Sequence, residues 1–121
     1  MIKTSELIWQ DKQHQVLFEL IDLVEQGNTD ISIFGRLANY AEIHFTLEEE
    51  YMHRLNFPGT DQHIRAHNRF RQELKSMKEE CLSFDRQFRI TLASFLREWL
   101  TSHIFGIDKE LEQFVLESKA K

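Results

Sequence analysis

Apolar residues recur along this chain at steps of three and four, the period of an amphipathic helix. The breakers that would interrupt the pattern are few: one proline, Pro58, and four glycines, Gly27, Gly35, Gly59 and Gly106. A first helix is expected over about residues 11–26, with His14, Leu17, Phe18, Ile21 and Val24 on one stripe and Gly27-Asn28 as its stop. A second starts near Asp30 and turns Leu37, Ala41, His44, Glu48, Met52 and Leu55 inward. It ends at Asn56-Phe57-Pro58-Gly59, which cannot continue a helix. Asp61 is placed to cap a third, striped by His63, His67, Phe70, Leu74 and Met77. After a polar break at residues 81–83, a fourth carries Phe88, Leu92, Phe95, Leu96, Trp99 and His103. Beyond Gly106 a short amphipathic piece covers about residues 108–116. Four long helices on short connections pack as antiparallel neighbours. The pattern therefore predicts an all-α fold, an up-down-up-down four-helix bundle with a short C-terminal helical segment, with residues 1–121 as one domain.

The stripes are not purely apolar. Five of the six histidines and Glu48 fall on inward faces of four different helices, where an unpaired polar group costs roughly 2–7 kcal/mol. Hydrogen bonds can satisfy one or two such groups, but a cluster of imidazoles and carboxylates in a bundle core is what metal coordination requires. The sixth histidine is a contrast. His53 follows His44 by nine residues, about 180° round a helix, and so belongs to the solvated face.

Composition narrows the partners. A net charge of −5 without clustered Lys and Arg argues against a nucleic-acid surface. The single cysteine, Cys81, cannot form an internal disulfide, and MIKTSELIWQ lacks the apolar run of a secretory signal, so a cytoplasmic setting is expected. No stretch reaches the length of an apolar membrane span, so no direct membrane contact is expected.

Taken singly, the motifs are weak. His44-Phe-Thr-Leu-Glu48 is an i,i+4 pair of a kind common on surface helices, and His14 or His103 alone reads as a satisfied core histidine. His63-Ile-Arg-Ala-His67 is stronger, because two imidazoles on one helix face readily share a metal. Asp108 follows His103 by five residues, about 140° away on an unbroken helix, so a shared site needs the backbone to deviate, for which Gly106 is available. Otherwise Asp108 reads as an N-cap of the last segment. Glu49 and Glu50 read as a solvated face, Cys81 as an incidental thiol, and Tyr40 and Tyr51 as hydrogen-bonding groups of unassigned direction.

Together, the order His14, then His44-xxx-Glu48, then His63-xxx-His67, then His103-xxxx-Asp108 resembles the ligand pattern of the hemerythrin family, in its bacterial branch, the bacteriohemerythrins. The resemblance extends to Asp11-Lys-Gln-His14, to His44-Phe-xx-Glu48-Glu49-xx-Met52, to the Phe57-Pro58 turn, and to Trp99-Leu100-xx-His103-Ile104. One departure is the short N-terminal arm, only about ten residues ahead of the first helix.

The resemblance implies two iron ions per chain in a non-haem di-iron centre with an oxo or hydroxo bridge. His63, His67 and His103 would hold one iron, His14 and His44 the other, and Glu48 and Asp108 would bridge them. It implies reversible dioxygen binding at the iron with fewer histidines. Trp99, Leu100 and Ile104 are the candidates for a dry wall over the bound gas. Binding rather than enzymatic turnover is expected, in an oxygen carrier or store, or in an oxygen- or redox-sensing input module coupled to an output domain or partner enzyme. The alternative is a di-iron enzyme handling peroxide, nitric oxide or ferrous iron.

Overall fold

The computed structural model describes residues 4–118. Four long helices, α1 (Ile8–Gln26), α2 (Ile33–Arg54), α3 (Thr60–Glu80) and α4 (Arg86–Trp99), are followed by a π-helical segment (Leu100–Ile107) and by α5 (Asp108–Ser118). Helix α1 lies against α2 and α4, and α2 against α3. The connections 27–32, 55–59 and 81–85 are too short for anything but antiparallel return. None of the described helices is long and apolar enough to cross a membrane.

The helix ends follow local chemistry. Gly27 is left-handed at φ 72°; its amide donates to the Val24 carbonyl at 3.3 Å and the Asn28 amide to Leu23 at 3.0 Å. This paired closure satisfies the last carbonyls of α1 and favours glycine. Helix α2 begins at Ile33 rather than near Asp30, because the Asp30 carboxylate accepts from the Ser32 amide at 2.9 Å and closes a turn ahead of the helix. Asn56, at φ 54°, ends α2. Gly59, not Asp61, occupies the cap of α3. Asp61 sits in the first turn, where its charge complements the helix dipole. Asp85 caps α4 by accepting from the Phe88 amide at 2.8 Å.

The apolar core comes in two blocks. The larger gathers Leu17, Ile21, Phe34, Phe45, Phe70 and Leu96 with their neighbours at one end of the bundle. The smaller, at the other end, contains Leu7, Met52, Leu111 and Val115, with Trp9, Tyr51 and Phe57 packed on it. Burying a large apolar side chain contributes about 1.5–3 kcal/mol, and the pull of the smaller block accounts for an early helix start. Leu7 is buried, α1 begins at Ile8 instead of residue 11, and α5 contributes Leu111 and Val115 to the same end. The segment just ahead of α1 is tied to α5 as well, through the Glu6 amide donating to Glu112 at 3.1 Å. Between the two blocks lies a polar layer.

Candidate metal centre

Helices α1, α2 and α3 contribute to that layer through the faces their apolar stripes already turn inward, and the π segment and α5 complete it. His14 comes from α1, His44 and Glu48 from successive turns of α2, His63 and His67 from successive turns of α3, His103 from the π segment and Asp108 from the start of α5. None of these seven is more than 1% exposed, whereas His53 is exposed.

The π segment resolves the spacing of the last two. Its hydrogen bonds run from i to i+5, so a residue five positions on returns close to the same face. His103 Nε2 accordingly lies 3.1 Å from Asp108 Oδ1. The deviation is spread over eight residues and does not depend on Gly106, where an added Cβ would meet open space. Asp108 is the first residue of α5 rather than its cap, and its carboxylate is turned onto imidazoles.

The carboxylates organise the histidines into two sets. Asp108 Oδ2 lies 2.8 Å from His14 Nε2 and 3.5 Å from His44 Nε2, while its Oδ1 lies 3.0 Å from His63 Nε2. Glu48 Oε1 lies 3.0 Å from His67 Nε2 and 3.3 Å from both His44 and His63 Nε2. Within each set, Glu48, His63, His67, His103 and Asp108, or His14, His44, Glu48 and Asp108, the donor atoms all lie within 4.8 Å of one another. Both sets contain both carboxylates.

These atoms converge without forming a complete hydrogen-bond network. The Nε2 atoms of His44, His63 and His103 and the Oδ1 of Asp108 are buried with no aligned hydrogen-bond partner, although charges of opposite sign lie within 3.5 Å. Buried groups left in that condition are costly, and lone pairs aimed at a common point are what a cation satisfies. The donor set therefore fits a metal.

Charge in the layer is already strained toward pairing. Burial alone would lower His63, but contacts with the Asp108 and Glu48 carboxylates outweigh it and push its pKa up to about 9. Burial and the neighbouring Asp108 would raise Glu48, yet His44, His63 and His67 hold it at about 2. Asp108 lies well below the ordinary carboxylate range: burial opposes this, but His103, His14 and His44 prevail. His103 moves the other way, its burial dominating over the carboxylates.

An outer ring fixes the rings' tautomers. Gln13 Oε1 accepts from His44 Nδ1 at 2.6 Å, and Glu49 Oε2 from His67 Nδ1 at 2.8 Å. The Thr4 hydroxyl donates to Asp11 at 3.0 Å, so its oxygen accepts from His14 Nδ1 at 2.7 Å. All three histidines thereby keep an Nε2 lone pair for the interior. Phe45 stacks on His67 and Trp99 on His103, each with ring centroids 3.9 Å apart. Tyr40 lies nearly parallel to His44 at 5.5 Å, its phenol held well above its ordinary pKa by burial and the two carboxylates. Tyr51 instead stacks on Trp9, 4.8 Å away in the smaller core.

Sequence reasoning missed this outer ring. Glu49, read as a solvated carboxylate, is only 24% exposed and paired with His67. Gln10, Gln13 and Thr4 carry no spacing signal, since each acts across the bundle or from the arm. Trp99, Leu100 and Ile104 are buried in the larger core, the last fully, and Trp99 reaches the layer through its stacking on His103. Cys81 ends α3, partly exposed, and joins neither donor set.

Residues 8–115 match the family model described as the hemerythrin HHE cation binding domain. The chain is 30% identical to a myohemerythrin of Riftia pachyptila over 98 residues, covering 81% of this chain and 76% of that protein. It is 25% identical to a bacteriohemerythrin of Clostridium acetobutylicum, covering 83% and 86%, and 27% identical to one of Stenotrophomonas maltophilia, covering 85% and 77%. No solved structure matches the chain.

Proposed function

The chain belongs to the hemerythrin family, and we propose that it binds dioxygen reversibly at a pair of non-haem irons held between its helices. The observation that carries this reading is the sharing of both carboxylates by two histidine sets. His63, His67 and His103 would hold one iron and His14 and His44 the other, with Glu48 and Asp108 within reach of both sets. The His14–His44 set offers one nitrogen fewer, so the external ligand would be taken on that side. Iron held there would supply the electrons that dioxygen binding requires.

The protein's own residues favour binding over turnover. Five neutral imidazoles against two carboxylates give less negative charge than a carboxylate-rich site, which disfavours highly oxidised iron. Gln13, Glu49 and Thr4 hold the imidazoles in the tautomer that presents Nε2. Trp99, Leu100 and Ile104, all buried, would keep water from one wall of the site. Leu100→Asn brings a polar group and its water to that wall, and is expected to speed air oxidation of the iron-loaded protein about tenfold or more, followed by its visible spectrum. An unchanged rate would remove Leu100 from the shielding role.

Reversible binding would serve an oxygen carrier or store, or an oxygen-sensing input module acting on an output domain or partner enzyme. The decisive experiment is anaerobic loading with ferrous iron, a count of metal per chain, and the visible spectrum as oxygen is admitted and purged. Two irons and a colour that fades on purging and returns are expected. Irreversible oxidation on first contact would favour a di-iron enzyme instead, and failure to hold two irons would overturn the reading.

A further inference from the structure

Gln10 is fully buried on α1, one turn before His14, and both ends of its side chain are engaged. Its Nε2 donates to Glu48 Oε2 at 2.9 Å and, less closely, to the backbone carbonyl of Asp108 at 3.5 Å. Its Oε1 accepts from the Ser5 hydroxyl at 2.7 Å. The Ser5 oxygen in turn accepts from the Leu7 amide at 3.0 Å, which leaves its one proton for Gln10. The Glu48 carboxylate and the Asp108 carbonyl can only accept, which settles the orientation of the amide: nitrogen toward Glu48, oxygen toward Ser5.

Glu48 is divided in consequence. Its Oε1 faces His44, His63 and His67, while its Oε2 is held by Gln10. Asp108, by contrast, turns one oxygen to each histidine set. The two carboxylates are made unlike by a neutral amide that belongs to neither donor set.

We propose that Gln10 is a positioning residue for the metal centre, fixing which oxygen of Glu48 meets the histidines and biasing bound iron toward the ferrous state. The inference rests on the iron-binding reading above. A hydrogen bond to a carboxylate withdraws electron density from it and makes it a weaker donor. The more highly charged ferric ion loses more from a weaker donor than the ferrous ion does, so the reduction potential rises. Ser5 and the arm that carries it act through the same amide.

The test compares Gln10→Met, which keeps the length of the side chain and removes the donor, with Gln10→Leu, which removes the donor with a shorter apolar side chain. Each is loaded with iron and measured by chelator competition and by redox titration. Chelator is expected to strip iron about 10–100-fold more readily. The preference for ferrous over ferric iron should fall at least about tenfold, a drop of about 59 mV in midpoint potential. Ser5→Ala, which removes the anchor of the amide oxygen and loosens the donor on Glu48, should shift the potential in the same direction by a smaller factor. A purely structural role would weaken both oxidation states alike, so an unchanged potential in both Gln10 variants overturns the proposal even where iron is held less tightly. A wild-type protein that holds no iron overturns the underlying reading instead, and the two failures are thereby distinguished.

Discussion

Replacing Asp108 with alanine is expected to reduce bound iron from two per chain to at most one and to abolish the reversible oxygen-dependent colour. Asp108 is the group whose two carboxylate oxygens each face a different histidine set, Oδ2 toward His14 and His44, Oδ1 toward His63 and His103. Without it the two sets keep only Glu48 in common. The iron-free protein should suffer too, because removing one partner from a buried charged cluster typically costs about 3–5 kcal/mol. In a domain of this size that corresponds to about 10–20 °C in melting temperature. Asp108→Asn separates the two effects, since it preserves the side chain's shape while losing its charge. Metal analysis together with an oxygen admission and purge cycle checks the first expectation, and thermal melts of iron-free protein check the second. A variant that kept two irons and the full colour cycle would show that Asp108 does not join the sets.

The second large effect is a reversal of pH dependence on metal loading. In the iron-free protein His63 titrates at about 9 against an ordinary value of 6.5, so its contribution to stability is complete below about pH 6.5 and is lost as pH rises through 9. Glu48 titrates at about 2 against 4.5, so its contribution is complete above about pH 4.5 and is lost as pH falls toward 2. His44 is raised, as His63 is, with the carboxylates prevailing over burial, and Asp108 is lowered, as Glu48 is. His103, lowered by burial, opposes them mildly on the acid side. Iron-free protein should therefore be most stable between about pH 4.5 and 6.5. The loaded protein should behave oppositely, because imidazole binds metal only when neutral and the proton on His63 competes with the cation. Its iron affinity should climb as pH rises through 9, and below about pH 6 loss of metal should lower its melting temperature. Melting curves of both forms from pH 4 to 9 decide the matter. A loaded protein with a flat melting temperature between pH 7.5 and 5 would contradict the assignment of the layer.

Most of the site was legible in the chain because burial and ligation share one cause. A histidine on the apolar stripe of an amphipathic helix is conspicuous, and His14, His44, His63, His67 and His103 each announced themselves in that way. Asp108 was harder, since its five-residue offset from His103 fits an α-helix poorly and is explained only by the π segment. Gln13 and Glu49 stood inside the resembling motifs with no sign of their role, and Gln10 and Thr4 lay outside them. The donor side chains they hold lie 10 to 38 positions away in sequence, and amides, hydroxyls and surface-adjacent carboxylates are ordinary in any helix. The start of α1 was misplaced for a similar reason: it is set by the packing of Leu7 and Trp9 at the far end of the bundle, not by a capping residue.

The π segment also determines where this chain tolerates changes in length. The connections 27–32, 55–59 and 81–85 lie between helix ends, and an added residue at an exposed position there, away from the packed Phe57 and Phe84, is absorbed without turning a helix. Between Leu100 and Asp108 no such slack exists. One residue removed would turn α5 by about 100° relative to His103, carrying Leu111 and Val115 away from Leu7 and Met52 and leaving the bundle end uncovered. In this protein the wide helical turn acts as a ruler, and insertions or deletions in its descendants should cluster in the loops and spare residues 100–108.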